Sequence, residues 1–187
     1  MGLWIILGVA AAIAAYAVFL YNRLVSTRQM TEEAWSGIDV QLKRRSDLIP
    51  NLVDTVKGYA RHERSVLENV TELRNAARAV PAGDVEGRAK AEGALSLALG
   101  RLLAVAESYP DLKASTNFLE LQHELSELES EIQMARRYYN GATRNLNTMV
   151  ESFPSNIVAS QFGFAKREYF EIEESGDRAL PKVSFQA

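Results

Sequence analysis

The stretch NFLELQHELSELESEIQMARRYYNGATRNLNTMVESF, residues 117–153, decides the fold class of this chain. Its apolar residues are spaced alternately three and four positions apart, and apolar residues with this spacing form the seam of a coiled coil or of a left-handed helix bundle. The sequence therefore predicts one long helix that packs along its whole length. The apolar residues with this spacing are Phe118, Leu121, Leu125, Leu128, Ile132, Ala135, Tyr139, Ala142, Leu146, Met149 and Phe153.

Both ends of this helix are marked in the sequence. Asn117 and Glu120 have the spacing of a capping box, which predicts a start at Asn117, although a start near Asp111 also fits the pattern. Pro154 marks the end, because proline cannot continue the hydrogen-bonding pattern of a helix.

Three further apolar stripes with helical spacing precede this helix, within residues 24–42, 52–80 and 91–105. The second ends at a loop around Pro81, and the third ends at Tyr109–Pro110. After residue 21 we find no alternation of apolar and polar residues that would indicate a strand. We therefore predict an all-α body, a long-helix antiparallel up-and-down bundle of the four-helix type.

Pro50 leaves the topology of the bundle open. Asp47 could cap a new helix with Pro50 in its first turn, which would reverse the chain, or Pro50 could kink one long helix that began in the membrane. We favour the break, because Ile49 precedes a proline and is disfavoured in the α region. A break gives a four-helix bundle of the segments after the anchor, whereas a kink gives a three-helix body on a bent stalk.

Residues 2–21, GLWIILGVAAAIAAYAVFLY, carry no charge and predict a single transmembrane helix. At about 1.5 Å per residue this segment spans roughly 30 Å, the thickness of a hydrocarbon core. Trp4 and Tyr21 lie near its ends, where aromatic residues settle at headgroup level. Gly8 and Ala12 form a small-xxx-small pair that lets two helices approach closely. A cleaved secretory signal is disfavoured, because such a signal carries positive residues ahead of its apolar stretch.

Positive charge lies on the C-terminal side of this anchor. Arg23 and Arg28 follow it directly, and Lys43, Arg44 and Arg45 come next. The positive-inside rule therefore predicts an N-terminus outside the cell and a body in the cytoplasm. We divide the chain into a transmembrane anchor (1–21), a cytoplasmic helical bundle (22–154) and a C-terminal tail (155–187).

The tail is aromatic and acidic. Its aromatic residues, for which we predict a docking role, are Phe162, Phe164, Tyr169, Phe170 and Phe185. The acidic residues Glu171, Glu173, Glu174 and Asp177 oppose binding to an anionic lipid surface, so docking on protein is favoured over docking on lipid.

The composition argues against catalysis and against nucleic-acid binding. Twenty-one Lys and Arg against 24 Asp and Glu give a net charge of -3, which provides no basic field for nucleic acid. With no Cys, thiol nucleophiles and Cys-ligated zinc are excluded. Phosphate-binding loops, nucleophile elbows and H-E-x-x-H helices do not occur in the sequence. We therefore predict no catalytic residue and no cofactor.

Glu120 and His123 form an E-x-x-H pair, the unit from which di-iron bundles are built. A second pair is missing, because the other histidine, His62, has Tyr59 at the corresponding position. We therefore predict no metal site.

Glu63 lies within an apolar stripe, where a carboxylate needs a partner. Arg28 and Arg45 occupy comparable positions on the preceding segment, so we expect an interhelical ion pair that fixes register rather than a general acid or base.

Four stretches of the chain resemble, in the same order, the LemA family of bacterial membrane proteins. The longest is YNRLVSTRQMTEEAWSGIDVQLKRRSDLIPNLVDTVKGYARHERSVLE (21–68), and the others are 109–140, FPSNIVA (153–159) and PKVSF (181–185). The resemblance implies one inner-membrane helix with its N-terminus outside and an antiparallel cytoplasmic bundle, with no established activity. Motif residues of the family that recur here are Arg28, Trp35, Asp39, Arg44, Arg45, Asp47, Pro50, Asn51, Glu63, Asn117, Asn140 and Pro154.

Members of the family are associated with magnetosome formation or neighbour a membrane zinc metalloprotease, which implies membrane organisation or envelope quality control. We expect a non-enzymatic membrane scaffold that forms homo-oligomers. The alternative is an adaptor that presents its bundle or tail to a membrane protease or another envelope protein. We expect the seam of residues 117–153 to be used within one chain, because four amphipathic helices can already bury one another.

Overall fold

The structure is a computed structural model that describes residues 1–60 and 62–171. Over this part of the chain it is all-α, which confirms the predicted fold class with its long apolar N-terminal helix. The chain divides into two units, described separately below. The helices found in the described residues are α1 (Gly2–Tyr59), α2 (Arg64–Ala79), α3 (Val85–Ala106), α4 (Pro110–Lys113), α5 (Thr116–Glu151) and α6 (Ser155–Gln161).

The first unit consists of Met1–Lys43 and Leu128–Tyr169. In it, α1 and α5 are antiparallel, because contacts further along α1 are made with residues earlier in α5. The contacts are Thr27 Oγ1 to Met149 Sδ at 3.4 Å, the rings of Trp35 and Tyr139 with centroids 5.4 Å apart, and Gln41 Nε2 to Glu131 Oε2 at 2.9 Å.

The seam predicted for α5 is buried over most of its length. Its members Phe118, Leu125, Leu128, Ile132, Tyr139, Ala142 and Leu146 are all buried. Two details of the prediction are wrong. Phe153 lies beyond the end of the helix and is exposed. Asn117 is not the cap, because the Leu119 N–H donates to the Ser115 carbonyl, which closes the first turn two residues earlier.

The second unit contains Arg44–Glu127, with Phe170 and Glu171. Its α2 and α3 form a hairpin whose loop includes Gly83, at the positive φ of 98° that glycine adopts without strain. Asp84 caps α3 by accepting a hydrogen bond from the Gly87 N–H at 2.8 Å. One apolar core joins all the helices of this unit through Ile49, Leu52, Val56, Leu67, Val70, Leu95, Leu102, Leu112, Phe118 and Leu125.

The break favoured at Pro50 is wrong. Helix α1 continues through Pro50 and ends at Tyr59, and α2 begins at Arg64. The apolar stripe of residues 52–80 is therefore shared between two helices instead of lying on one.

The physical reason lies in the hydrogen bond that proline cannot make. Pro50 has no N–H, so the carbonyl of Ser46, four residues earlier, loses its usual partner within the helix. Arg74 of α2 takes over that role, since its Nε donates to the Ser46 oxygen at 2.6 Å. The carbonyl that Pro50 leaves without a donor is thus satisfied by the neighbouring helix, and α1 need not end there.

We expect Arg74→Ala to lower the free energy of unfolding by about 2 kcal/mol, because it removes a charged donor from a partly buried carbonyl. In a Pro50→Ala background the same substitution should cost much less, because alanine has the backbone N–H that proline lacks. Thermal denaturation of the full chain in mild detergent measures both effects. Arg78→Ala, at an exposed position one turn later on α2, is the matched control. Equal losses in the two backgrounds would contradict this account of Pro50.

Candidate membrane-proximal site

The N-terminal part of α1 has the properties of a membrane anchor. Within the described residues, α1 is the one helix long and apolar enough to cross a bilayer. Nearly all side chains from Gly2 to Phe19 are exposed, including that of Trp4. Beyond its chain neighbours and the backbone of its own helix, a Cβ added at Gly8 would meet no atom within 4 Å, so the face that carries Gly8 and Ala12 is uncovered.

An aromatic cluster lies where the uncharged stretch of α1 ends. The ring of Tyr21 is 4.8 Å from that of Phe162 and 5.8 Å from that of Phe164, in edge-to-face arrangements. The Arg28 guanidinium carbon lies 5.2 Å from the centroid of the Phe164 ring, a cation–π contact. These rings adjoin a small apolar core between α1 and α6, which consists of Leu20, Leu24, Val158, Ala159 and Phe164.

The segment after α6, residues 163–169, is held along α5 by its backbone. Asn147 accepts from the Arg167 N–H at 2.8 Å and donates to the Arg167 carbonyl at 2.9 Å. The Tyr139 hydroxyl donates to the Glu168 carbonyl at 2.9 Å. Burial raises the pKa of Tyr139, so its hydroxyl remains a donor at neutral pH. We call residues 163–169 the strap.

Sequence reasoning missed Asn147. The available signal was its position beside Leu146 on the seam of α5, because a buried amide needs hydrogen-bond partners. A pattern of apolar spacing does not name those partners, and here they are backbone groups of the strap.

The aromatic residues predicted to dock have different environments. Phe164 and Phe170 are buried, whereas Phe162 and Tyr169 are exposed. Phe185 lies outside the described residues.

A buried ionic network lies in the second unit. Arg45 contacts Glu92 at 2.6 Å through Nη2 and Ser96 Oγ at 2.8 Å through Nη1. The other carboxylate oxygen of Glu92 accepts from Arg88 Nε at 3.0 Å. Both Arg45 and Glu92 are almost fully buried, and each charge is offset by the other.

The prediction that Glu63 forms the interhelical ion pair is wrong, because a different acid pairs with Arg45. Glu63 lies just ahead of α2, where the chain turns after α1, and it accepts from the Tyr109 hydroxyl at 3.2 Å. Burial and the nearby carboxylate of Glu63 both raise the pKa of Tyr109. The acid that pairs with Arg45 is Glu92, whose signal in the sequence was its place on the apolar stripe of α3, three residues before Leu95.

The other family-motif residues divide by burial. Trp35 is partly buried against Tyr139. Pro50, Asn140 and Pro154 are also partly buried. The exposed ones are Asp39, Arg44, Asp47, Asn51 and Asn117.

Glu120 and His123 are both exposed on α5. His123 Nδ1 lies 3.7 Å from Oε1 of Glu127, one turn later on α5. In the part of the chain that the structure describes, His, Asp and Glu side chains form no group of three that could hold a metal ion.

Comparison with known proteins finds matches over most of the chain. Residues 34–185 match the model of the LemA family. Magnetosome protein MamQ 2 of Paramagnetospirillum magneticum is 28% identical, over 94% of this chain and 74% of that protein. Magnetosome protein MamQ of Magnetospirillum gryphiswaldense is 25% identical, over 86% and 68%. Protein LemA of Metamycoplasma hominis is 28% identical, over 82% and 69%. None of these names states a catalysed reaction.

Glu92→Ala should lower the free energy of unfolding by about 3 to 5 kcal/mol, because it leaves the buried Arg45 charge without its carboxylate. The matched control is Glu86→Ala on the same helix, since Glu86 pairs with Lys90 in solvent and contributes at most about 0.5 kcal/mol. Thermal denaturation of the full chain measures both. Similar losses for the two variants would show that burial does not set the strength of the Arg45–Glu92 pair.

Proposed function

This chain belongs to the LemA family, and on that premise we propose that it is a non-enzymatic, single-pass membrane protein that self-associates as a scaffold organising or shaping the membrane. The observation that carries the proposal is the uncovered face of the anchor, where Gly8 and Ala12 lie side by side. The relatives named magnetosome proteins support a role in a membrane assembly.

The anchor face fits a second copy of the same helix. Helix association in a bilayer depends on close backbone approach, and small residues four apart permit it. Gly8 is not required by a neighbouring side chain of its own chain, because nothing lies within 4 Å of the position of a Cβ. The face is therefore available to another anchor.

Self-association supplies a mechanism through avidity. A single anchor holds one body on the membrane, whereas several anchors joined by helix contacts act as one unit with a fixed arrangement. Such an assembly could stiffen, mark or bend a patch of membrane without any reaction.

We further propose the orientation and the membrane. Arg23 is exposed two residues after Tyr21, and Arg28 follows about one turn later. Positive charge at this end of the span favours its retention on the cytoplasmic side, with the N-terminus outside the bacterial inner membrane.

In mild detergent or nanodiscs, the full-length chain should show a discrete multi-subunit mass by native mass spectrometry. The double variant Gly8→Ile and Ala12→Ile should shift that mass toward the monomer, because the added side chains separate the helix backbones. Ala10→Ile, on the opposite side of the anchor, is the matched control and should keep the assembly.

A monomeric wild-type chain would overturn the scaffold and favour the adaptor alternative. An assembly that survives the Gly8 and Ala12 substitutions would show that surfaces other than this anchor face hold the copies together.

The chain has no cysteine, so single cysteines report topology without background. In intact spheroplasts a membrane-impermeant maleimide should label Gly2→Cys directly. Ser26→Cys, exposed on α1 beyond the anchor, should be labelled only after the membrane is permeabilised. The reverse pattern would place the body outside the cytoplasm.

A further inference from the structure

Three large apolar side chains are exposed beside the aromatic cluster, in the first unit. Phe153 is 80% exposed, Ile157 is 59% exposed and Phe162 is 61% exposed. Phe153 lies between α5 and α6, Ile157 lies within α6, and Phe162 follows its last residue. We call these three residues the apolar patch.

The patch lies at the level where the anchor ends. Phe162 contacts Tyr21, the last residue of the uncharged stretch, with ring centroids 4.8 Å apart. Helix α6 is fixed at this level because its Val158 and Ala159 pack against Leu20 and Leu24 of α1.

The two sides of α6 differ in what covers them. Val158 and Ala159 face the body and are buried, whereas Ile157 points away from it and is exposed. The inner side of the helix is therefore satisfied by its own chain. The outer side presents Ile157 to water, and Phe153 and Phe162 are exposed just before and just after the helix in the chain. Three large apolar side chains exposed so near one another in the chain are unfavourable in water.

We propose that the apolar patch inserts into the boundary between acyl chains and headgroups and forms a second membrane contact beside the anchor. This inference rests on the proposed transmembrane span. Lipid is the occupant because the patch is continuous with the lipid-facing surface of α1 through the Tyr21–Phe162 contact. If the span ends near Tyr21, the ring of Phe162 lies at headgroup level, where aromatic residues are stabilised.

The charges around the patch fit this depth. Arg23 and Arg28 lie within about two turns of Tyr21 on the side away from the anchor. Lys166 contacts Glu151 at 2.7 Å, and this hydrogen bond raises the pKa of the Lys166 ammonium, which stays charged. These groups stay in water or among headgroups, so the patch reaches the boundary and does not enter the hydrocarbon core.

The strap leads the chain back along α5 from the level of Asn147 to that of Tyr139, away from α6 and the patch. The lipid contact therefore involves the start of the tail, while Phe164 and the strap are held on protein.

The test places an environment-sensitive NBD label at single cysteines in the full chain. The patch variants are Phe153→Cys and Ile157→Cys, and Ile13→Cys marks the span. Met134→Cys is the matched control, because Met134 is 53% exposed on α5 of the same unit, about 25 Å of helix before Glu151. Each variant is reconstituted into phosphatidylcholine vesicles with and without spin-labelled phosphatidylcholine.

The labels at positions 153 and 157 should show blue-shifted emission and lose intensity in the presence of spin-labelled lipid, whereas the label at 134 should do neither. Emission at 153 and 157 that matches 134, with quenching at 13, would overturn the patch contact and leave the span intact. Absence of quenching at 13 would overturn the span itself. A blue shift at 153 and 157 that disappears on dilution with excess lipid would assign the patch to a second copy of the chain.

Discussion

One hydrogen bond, from Arg74 Nε to the Ser46 carbonyl, allows α1 to remain a single helix from Gly2 to Tyr59. Proline in a helix interior normally costs stability, because a backbone carbonyl loses its donor and the ring crowds that carbonyl. Here a side chain from the next helix supplies the donor, so the structure needs α2 in order to complete α1. Because α1 continues past Pro50, it ends at Tyr59, and α2, which carries Arg74, begins at Arg64.

The periodicity of apolar residues correctly predicted the helices whose buried side chains recur at that period. The seam of α5 is an example, because its buried members are those at the alternating spacing of three and four. Local propensity failed at Pro50 and at Asn117, because the residues that decide both positions, Arg74 and Ser115, lie outside the pattern considered. The Arg74–Ser46 hydrogen bond is a tertiary contact and has no signature in the spacing of apolar residues, and the first turn of α5 is closed by a backbone bond that this spacing does not locate.

Among the polar residues inside the apolar stripes, Glu63, Arg28 and Arg45 were predicted to take part in an ion pair, whereas Glu92 and Asn147 were missed. Arg45 was expected to form an interhelical ion pair, and it does, with Glu92 instead of Glu63. The error came from the position of the turn, since Glu63 precedes α2 and does not continue the stripe of α1. Asn147 follows the same logic, because its partners are main-chain atoms and no residue type identifies them. What could be read from the sequence was the need for a partner at a buried polar side chain.

The strap is held through its main chain, by the Asn147 amide on both polar backbone atoms of Arg167 and by the Tyr139 hydroxyl on the Glu168 carbonyl. Main-chain atoms are the same for every residue type except proline at the N–H. Substitutions at positions 167 and 168 can therefore accumulate without detaching the segment. Lys166 and Arg167 also make side-chain contacts, with Glu151 and Glu32, whereas exposed side chains such as Ala165 and Glu168 can change while the segment keeps its path along α5. Proteins with this architecture can thus alter part of that surface while keeping one fold.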